Sequence, residues 1–310
     1  NIIVGNKSVG IHGIYATHVI DNNVISNNVG GIEISQGGNY TVSDNQIVFN
    51  NNLGDGSGFD PYGGNSQSAW SPDVSLLRNT FFSNSSTNST ILTFHPQQGD
   101  PTFVINYNNI HNNISTYELK NYRNSSTSDV DAENNYWGTS TESVIQEKIY
   151  DWNEDGNLGF VDYDPFATSL NVNAPISPPK NVKIIKLQGS AEISFDANTE
   201  SDLKGYKLHY GEFNGYSYAS ILDLGNITDT TISGIDVGTS PAITAYDNNA
   251  DGTDDQVEGY ESWFSEVNLI SAPVAVSDSY QIAKGGELDL INGPFAHYQF
   301  DKENDLSGAE

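Results

Sequence analysis

Asn23-Val24-Ile25-Ser26-Asn27-Asn28 and Asn45-Gln46-Ile47-Val48-Phe49-Asn50 each set two asparagines five residues apart, with an apolar residue two places after the first. The same frame, Asn-x-apolar-x-x-Asn, occurs at Asn1 to Asn6 around Ile3, at Asn79 to Asn84 around Phe81 and at Asn108 to Asn113 around Ile110. The first three copies start 22 residues apart, and the next two steps lengthen to 34 and 29. Self-similarity at such a period marks a solenoid of stacked units.

A second apolar position lies three places before each first asparagine, at Ile20, Val42, Leu76 and Ile105. The spacing fits short strands meeting at a corner. If each copy is one coil, equivalent side chains stack about 4.8 Å apart and the apolar ones fill a continuous interior. The asparagine amides then form ladders that satisfy the polar corners. A helical reading fails, because Asn and Gly are too frequent and the 3.6-residue period is missing.

This pattern resembles the right-handed parallel β-helix repeat of secreted carbohydrate-active and surface proteins. Val130-Asp131-Ala132-Glu133-Asn134-Asn135-Tyr136-Trp137-Gly138 looks like the turn that closes many such helices, with either Asn134 or Asn135 as the ladder residue. Ile149-Tyr150-Asp151 through Val161-Asp162-Tyr163-Asp164-Pro165-Phe166 resembles the family's terminal segment. The resemblance covers residues 1–168 and implies an all-β scaffold; function does not follow from it, since lyases, hydrolases, epimerases and adhesins share it. Because a repeat is already under way at Asn1, the expectation is that further coils precede it.

Residues 169–177 read as a linker ending at Ser177-Pro178-Pro179, after which period-two strands such as Ala191-Glu192-Ile193-Ser194-Phe195 and Tyr206-Lys207-Leu208-His209-Tyr210 take over. Ser201-Asp202-Leu203-Lys204-Gly205-Tyr206 resembles strand C of a fibronectin type III domain, while Ala242 to Asp247 and Glu261 to Ser265 look like its strands F and G. Phe195 stands where that family usually has Trp. The module is expected over 178–272 as a β-sandwich. Beyond it, 273–310 reads as a linker and the truncated start of a laminin-G-like domain, or as an acidic tail; the resemblance rests on Gly293 to Asp301 and Asn304 to Gly308.

The 310 residues carry 40 Asp and Glu against 12 Lys and Arg, a formal charge of −28. That balance argues against nucleic acid and anionic membranes as partners and favours cations and neutral polymers. No cysteine is present, so neither disulfides nor thiol chemistry enter. No apolar run is long enough to span a bilayer, and membrane insertion is not expected.

Two acidic loops have calcium-ligand spacing. Asp247, Asn249, Asp251, Thr253 and Glu258 follow the order of a calcium loop, with Gly252 at the sharp turn; the flanks read as strands rather than helices. Asp151, Asn153, Asp155, Asn157 and Asp162 repeat the spacing with Asp in the last place. Calcium is therefore the expected cofactor, against the alternatives of an acidic hairpin and a solvated turn.

The insertion at 53–73, which explains the 34-residue step, holds Asp55, Phe59, Asp60, Tyr62, Trp70 and Asp73. Aromatic planes beside carboxylates suit sugars, and Asp60, Tyr62, Trp70 and Asp73 are the candidate glycan contacts there. A second insertion adds Lys120 and Arg123 beside Tyr117 and Tyr122, cations suited to a uronate carboxylate. His12, His18, His95 and His111 lack ligand spacing and read as surface or corner residues. The expected function is a calcium-stabilised glycan-binding or adhesive scaffold of a secreted or cell-surface modular protein, with a polysaccharide or surface glycan and further domains of the same polypeptide as partners. The alternative is a polysaccharide lyase or glycoside hydrolase with its active face on the β-helix.

Overall fold

The computed structural model describes residues 1–14, 17–35, 38–52, 56–61, 73–93, 102–123 and 129–271. Almost all regular structure in them is β. The chain visits three parallel sheets in rotation: Ile2–Val4 belongs to the first, Val9–Ile14 to the second, His18–Asp21 to the third, and Val24–Ser26 returns to the first. The first sheet collects Ile2–Val4, Val24–Ser26, Gln46–Val48, Thr80–Phe82 and Asn109–His111 in that order, each parallel to its neighbours.

In these three-residue strands only the middle residue points inward, so Ile3, Ile25, Ile47, Phe81 and Ile110 stand in one register row. Ile20, Val42, Leu76 and Ile105 form the matching row of the third sheet, and Ile11, Ile32, Phe59, Ile91, Leu119 and Ile149 that of the second. All meet in one apolar core, joined by Trp137 and by Ile145 of the short helix Glu142–Glu147.

The asparagines on either side of the first sheet bond rung to rung, and those from Asn23 to Asn108 are buried. The backbone N–H and the Nδ2 of Asn23 both donate to Oδ1 of Asn45, those of Asn45 to Asn79, those of Asn79 to Asn108 and those of Asn108 to Asn135, at 2.8–3.1 Å throughout. Asn135, not Asn134, is thus the ladder residue of the closing turn. From Asn45 onward Nδ2 also donates to a main-chain carbonyl of an adjacent rung, that of Ile20 for Asn45 and that of Val42 for Asn79. Asn6, Asn28, Asn50, Asn84 and Asn113 repeat the arrangement at the other corner.

Each ladder asparagine is preceded by a left-handed residue: Asn22, Asn27, Asp44, Phe49, Arg78, Ser83, Tyr107, Asn112 and Asn134 all have φ between 50° and 63°. A left-handed backbone costs an ordinary side chain roughly 1–2 kcal/mol, so the corner persists because the amide that follows it is held by two bonds. At one corner Arg78 also clasps Asp44 on the next rung with two bonds of 2.7 Å.

From Val182 onward a second part has two sheets of its own. One runs in the order Asp229–Ser233, Ser190–Ser194, Val182–Leu187, Val267–Ser271; the other in the order Tyr218–Gly225, Leu203–Phe213, Ala242–Asp247. Both contribute to one core, in which Phe195 meets Tyr206 edge-on at 4.7 Å. Val267–Ser271 pairs parallel to Val182–Leu187, while Glu261 to Ser265 run beside Ala242–Asp247 through a bridge and backbone bonds.

Residues 1–272 form one compact unit, and the outside of the first sheet explains why. Its outward residues are buried too. Val24, Val48 and Phe82 pack against Ala242, Trp263 and Phe264. On the same face Gln46 Nε2 donates to the carbonyls of Gln256 and Glu261 while its Oε1 accepts the Trp263 N–H. Thr80 donates to the Pro175 carbonyl, Asn109 exchanges two bonds with Asn171, and His111 Nε2 meets Ser177 Oγ at 2.8 Å. The stretch 174–179 is itself buried in this contact.

Two predictions follow from these contacts. Asn79→Ala strands the Asn45 donors inside the wall, and chemical denaturation should show a loss of about 3 kcal/mol or more. Burial, with smaller contributions from Lys180 and Lys148, lowers the His111 pKa from 6.5 to about 3. The unfolded chain then takes up a proton below pH 6.5 that the folded one refuses until about pH 3, so stability falls across that window and is unaffected by this site above it. His111→Gln should flatten the slope of stability against pH between 6 and 4, as read by denaturation at stepped pH.

Candidate functional site

Gly10-Ile11-His12, Gly31-Ile32-Glu33 and Gly58-Phe59-Asp60 occupy equivalent places on successive strands of the second sheet. The glycine is required by close approach: a Cβ on Gly31 would lie 2.3 Å from the Gly58 carbonyl oxygen, and one on Gly58 would lie 2.6 Å from the Phe81 ring. The apolar residue enters the core, and period two turns the third residue outward. His12, Glu33 and Asp60 therefore stand in one row about 4.8 Å apart. His12 Nε2 lies 3.4 Å from Glu33 Oε1.

The row continues. The pairing of Phe59 with Ile91 places Leu92 on the rung after Asp60, and Leu92 pairs with Lys120, which pairs with Tyr150. The Lys120 ammonium sits over the rings of Tyr122 and Tyr150 at 4.4 and 4.5 Å and over Tyr117 at 5.9 Å. Beside it Glu118 is buried and committed, accepting from Thr90, Asn113 and Lys148. One row thus runs from His12 and Glu33, across Asp60 and Leu92, which are both buried, to a cation framed by tyrosines.

Of the residues singled out in the sequence, Asp60 and Lys120 share this face. Asp73 begins a strand of the third sheet, where its Oδ1 accepts from the Thr102 N–H and hydroxyl. Arg123 is buried against Phe103, with its guanidinium 5.2 Å from the ring, so it does not act with Lys120. Tyr62 and Trp70, like Asp55 and His95, lie outside the described residues. His18 stacks on Tyr40 at 5.1 Å, and His111 belongs to the buried contact between the two parts. Sequence reading took His12 for a surface or corner residue and passed over Glu33 and Tyr150, although the Gly-apolar-x triplet was the available signal for the first two.

The two acidic loops use their carboxylates on the backbone. Asp247 Oδ1 accepts from Asn249 N–H and Asp251 Oδ1 from Thr253 N–H, while both oxygens of Asp255 accept from the N–H groups of Asp251 and Gly252. Burial first, and then the charge of Asp202, push the Asp247 carboxyl upward. Glu258 ends the short helix Asp255–Glu258, exposed. In the other loop Asp151 holds the Asn153 N–H and amide and the Val161 N–H, Asp155 holds Asn157, and Asp162 points to solvent. Among the described residues no three His, Asp or Glu side chains gather as a metal cage. The same residues also exclude a helix long and apolar enough to cross a membrane.

Comparison with known proteins returned no match to any family model, curated protein or solved structure.

The environments of the two cations give a direct test. Lys120→Ala removes a half-buried side chain held only over tyrosine rings and should cost about 1 kcal/mol or less. Arg123→Ala removes a buried side chain and should cost about 2 kcal/mol or more in the same denaturation experiment.

Proposed function

We propose that the chain is a glycan-binding scaffold of an extracellular modular protein, its first part a right-handed parallel β-helix and its second a fibronectin type III-like sandwich. The rotation through three parallel sheets, the asparagine ladders and the turn at Asn135 support the first assignment. Seven strands in sheets of four and three around Phe195 and Tyr206 support the second. The observation that carries the function is the outward row of the second sheet. Its rungs advance by about 4.8 Å, of the order of one sugar residue, and offer the Glu33 carboxylate, the His12 imidazole, an ammonium and tyrosine rings along one line, with Asp60 and Leu92 buried between them. Hydroxyls meet the polar groups, and the C–H faces of the sugar meet the rings. Calcium belongs to this reading through the ligand order of Asp247, Asn249, Asp251, Thr253 and Glu258; occupancy requires those side chains to leave their backbone partners.

A second reading draws on Glu33 and Asp60. The two stand on adjacent rungs, a spacing of about 4.8 Å against the carboxylate separation of about 5–5.5 Å used by retaining glycosidases, with His12 alongside as a proton carrier.

A panel of neutral and acidic polysaccharides, followed by affinity electrophoresis and by assay of reducing ends and unsaturated products, separates the two. Retardation without product, weakened in Lys120→Ala/Tyr150→Ala, is the expected result; product that disappears in Glu33→Gln or Asp60→Asn establishes catalysis instead. Calcium should raise the melting midpoint over that in chelator and should cease to do so in Asp247→Asn; coincident curves remove calcium from the proposal.

A further inference from the structure

We propose that the contact between the coiled and two-sheet parts contains a second, separate site, which takes a neutral sugar. A cleft of about 520 Å³ opens there, walled on one side by the coil corners at Asn27 and Phe49 and on the other by Phe213, Tyr216, Tyr218 and Phe264. Its volume is that of a small-ligand pocket. Phe213 and Tyr218 lie nearly face to face at 4.6 Å, and Phe264 stands edge-on to both at 5.7 and 4.9 Å. The rings hold one another in fixed orientation, yet Phe213 stays 41% exposed and Tyr216 56%.

The turn that presents Tyr216 is fastened. Asn214 Oδ1 accepts the N–H groups of Tyr216 and Ser217, and its amide donates to the Ser217 hydroxyl. Opposite, Phe49 occupies a left-handed corner at φ 57°, a conformation that bulky residues rarely adopt. The asparagine ladder holds that corner through Asn50, as it holds the corners at Arg78 and Tyr107, so the ring is fixed in place.

The polar groups choose the ligand. Asn27 and Glu266 line the same cleft and are exposed. A carboxylate in a chain of charge −28 repels uronates, phosphates and nucleic acids. A neutral pyranose offers what remains complementary: an apolar C–H face for the rings and hydroxyl donors for Glu266 and Asn27. An adjoining hollow of about 350 Å³ shares Tyr216, Tyr218 and Phe264, leaving room for a second sugar unit. Its floor is rigid, because buried Glu261 accepts from Lys207, His209 and Thr244. Since both parts supply walls, the site exists only while they are docked, and it is independent of the second-sheet face.

Titration calorimetry of the whole chain with the neutral disaccharides cellobiose, lactose and maltose tests this. At least one should bind saturably, about tenfold or more weaker in Phe213→Ala/Tyr216→Ala. Both side chains are exposed, so the variant should melt with the parent; if it does not, Tyr216→Ala alone serves. In Phe213→Ala/Tyr216→Ala the polysaccharide retardation that depends on Lys120 should persist, which keeps this site's failure apart from failure of the second-sheet reading. The proposal is overturned if none of the three sugars binds, if the aromatic variants bind as tightly as the parent, or if choline displaces the sugar.

Discussion

A buried asparagine amide that bonds its own counterpart on the next rung is the interaction on which the rest of this structure depends. Each Oδ1 takes two donors and each Nδ2 supplies two protons, so a strongly polar group sits in the wall of an apolar core with its hydrogen-bonding capacity filled. The ladder also decides where the chain turns. It fixes the residue after every left-handed corner, which is why Phe49, Arg78 and Tyr107 can stand in positions usually left to glycine or asparagine. Removing the amide would leave both a desolvated donor and a strained backbone, and the two costs fall on the same few atoms.

The second organising contact is the covering of the first sheet. A strand of three residues can send only its middle side chain inward, so two of every three face away from the core. In this sheet those residues are not left to water: Val24, Val48 and Phe82 form an apolar patch, while Gln46, Thr80 and Asn109 find main-chain partners in the second part and the segment leading to it. Gln46 fills three of its hydrogen bonds across more than two hundred residues of sequence. The contact joins the two parts through directed bonds as well as apolar area, which fixes one orientation where apolar area alone would permit several.

The sequence disclosed what recurs and concealed what meets only in space. The asparagine frame and the apolar positions at Ile20, Val42, Leu76 and Ile105 repeat visibly, and the structure stacks them rung on rung as that repetition requires. Asn134 and Asn135 could not be separated by pattern, because a left-handed asparagine and a ladder asparagine stand side by side; bonding to Asn108 separates them. Asp60 and Lys120 were singled out by their insertions, whereas Glu33 was passed over because no insertion marks it and His12 was read as a surface or corner residue. Arg123 shows the opposite difficulty: a cation three residues from Lys120 looks like its partner until the chain turns it beneath Phe103. In the acidic loops one set of residue types serves either to close a turn or to surround an ion, and spacing alone does not distinguish the two uses.

The steps between ladder asparagines are 22, 34, 29 and 27 residues long, yet their bonds have nearly the same lengths at every step. The pitch is thus uncoupled from the contour length of the chain that spans it. Such a scaffold works as a rack of cassettes, in which a lengthened excursion between rungs leaves the register of its neighbours untouched. Chemical novelty can then accumulate loop by loop while the wall keeps its shape, and the same independence makes these excursions natural places to graft a foreign binding loop.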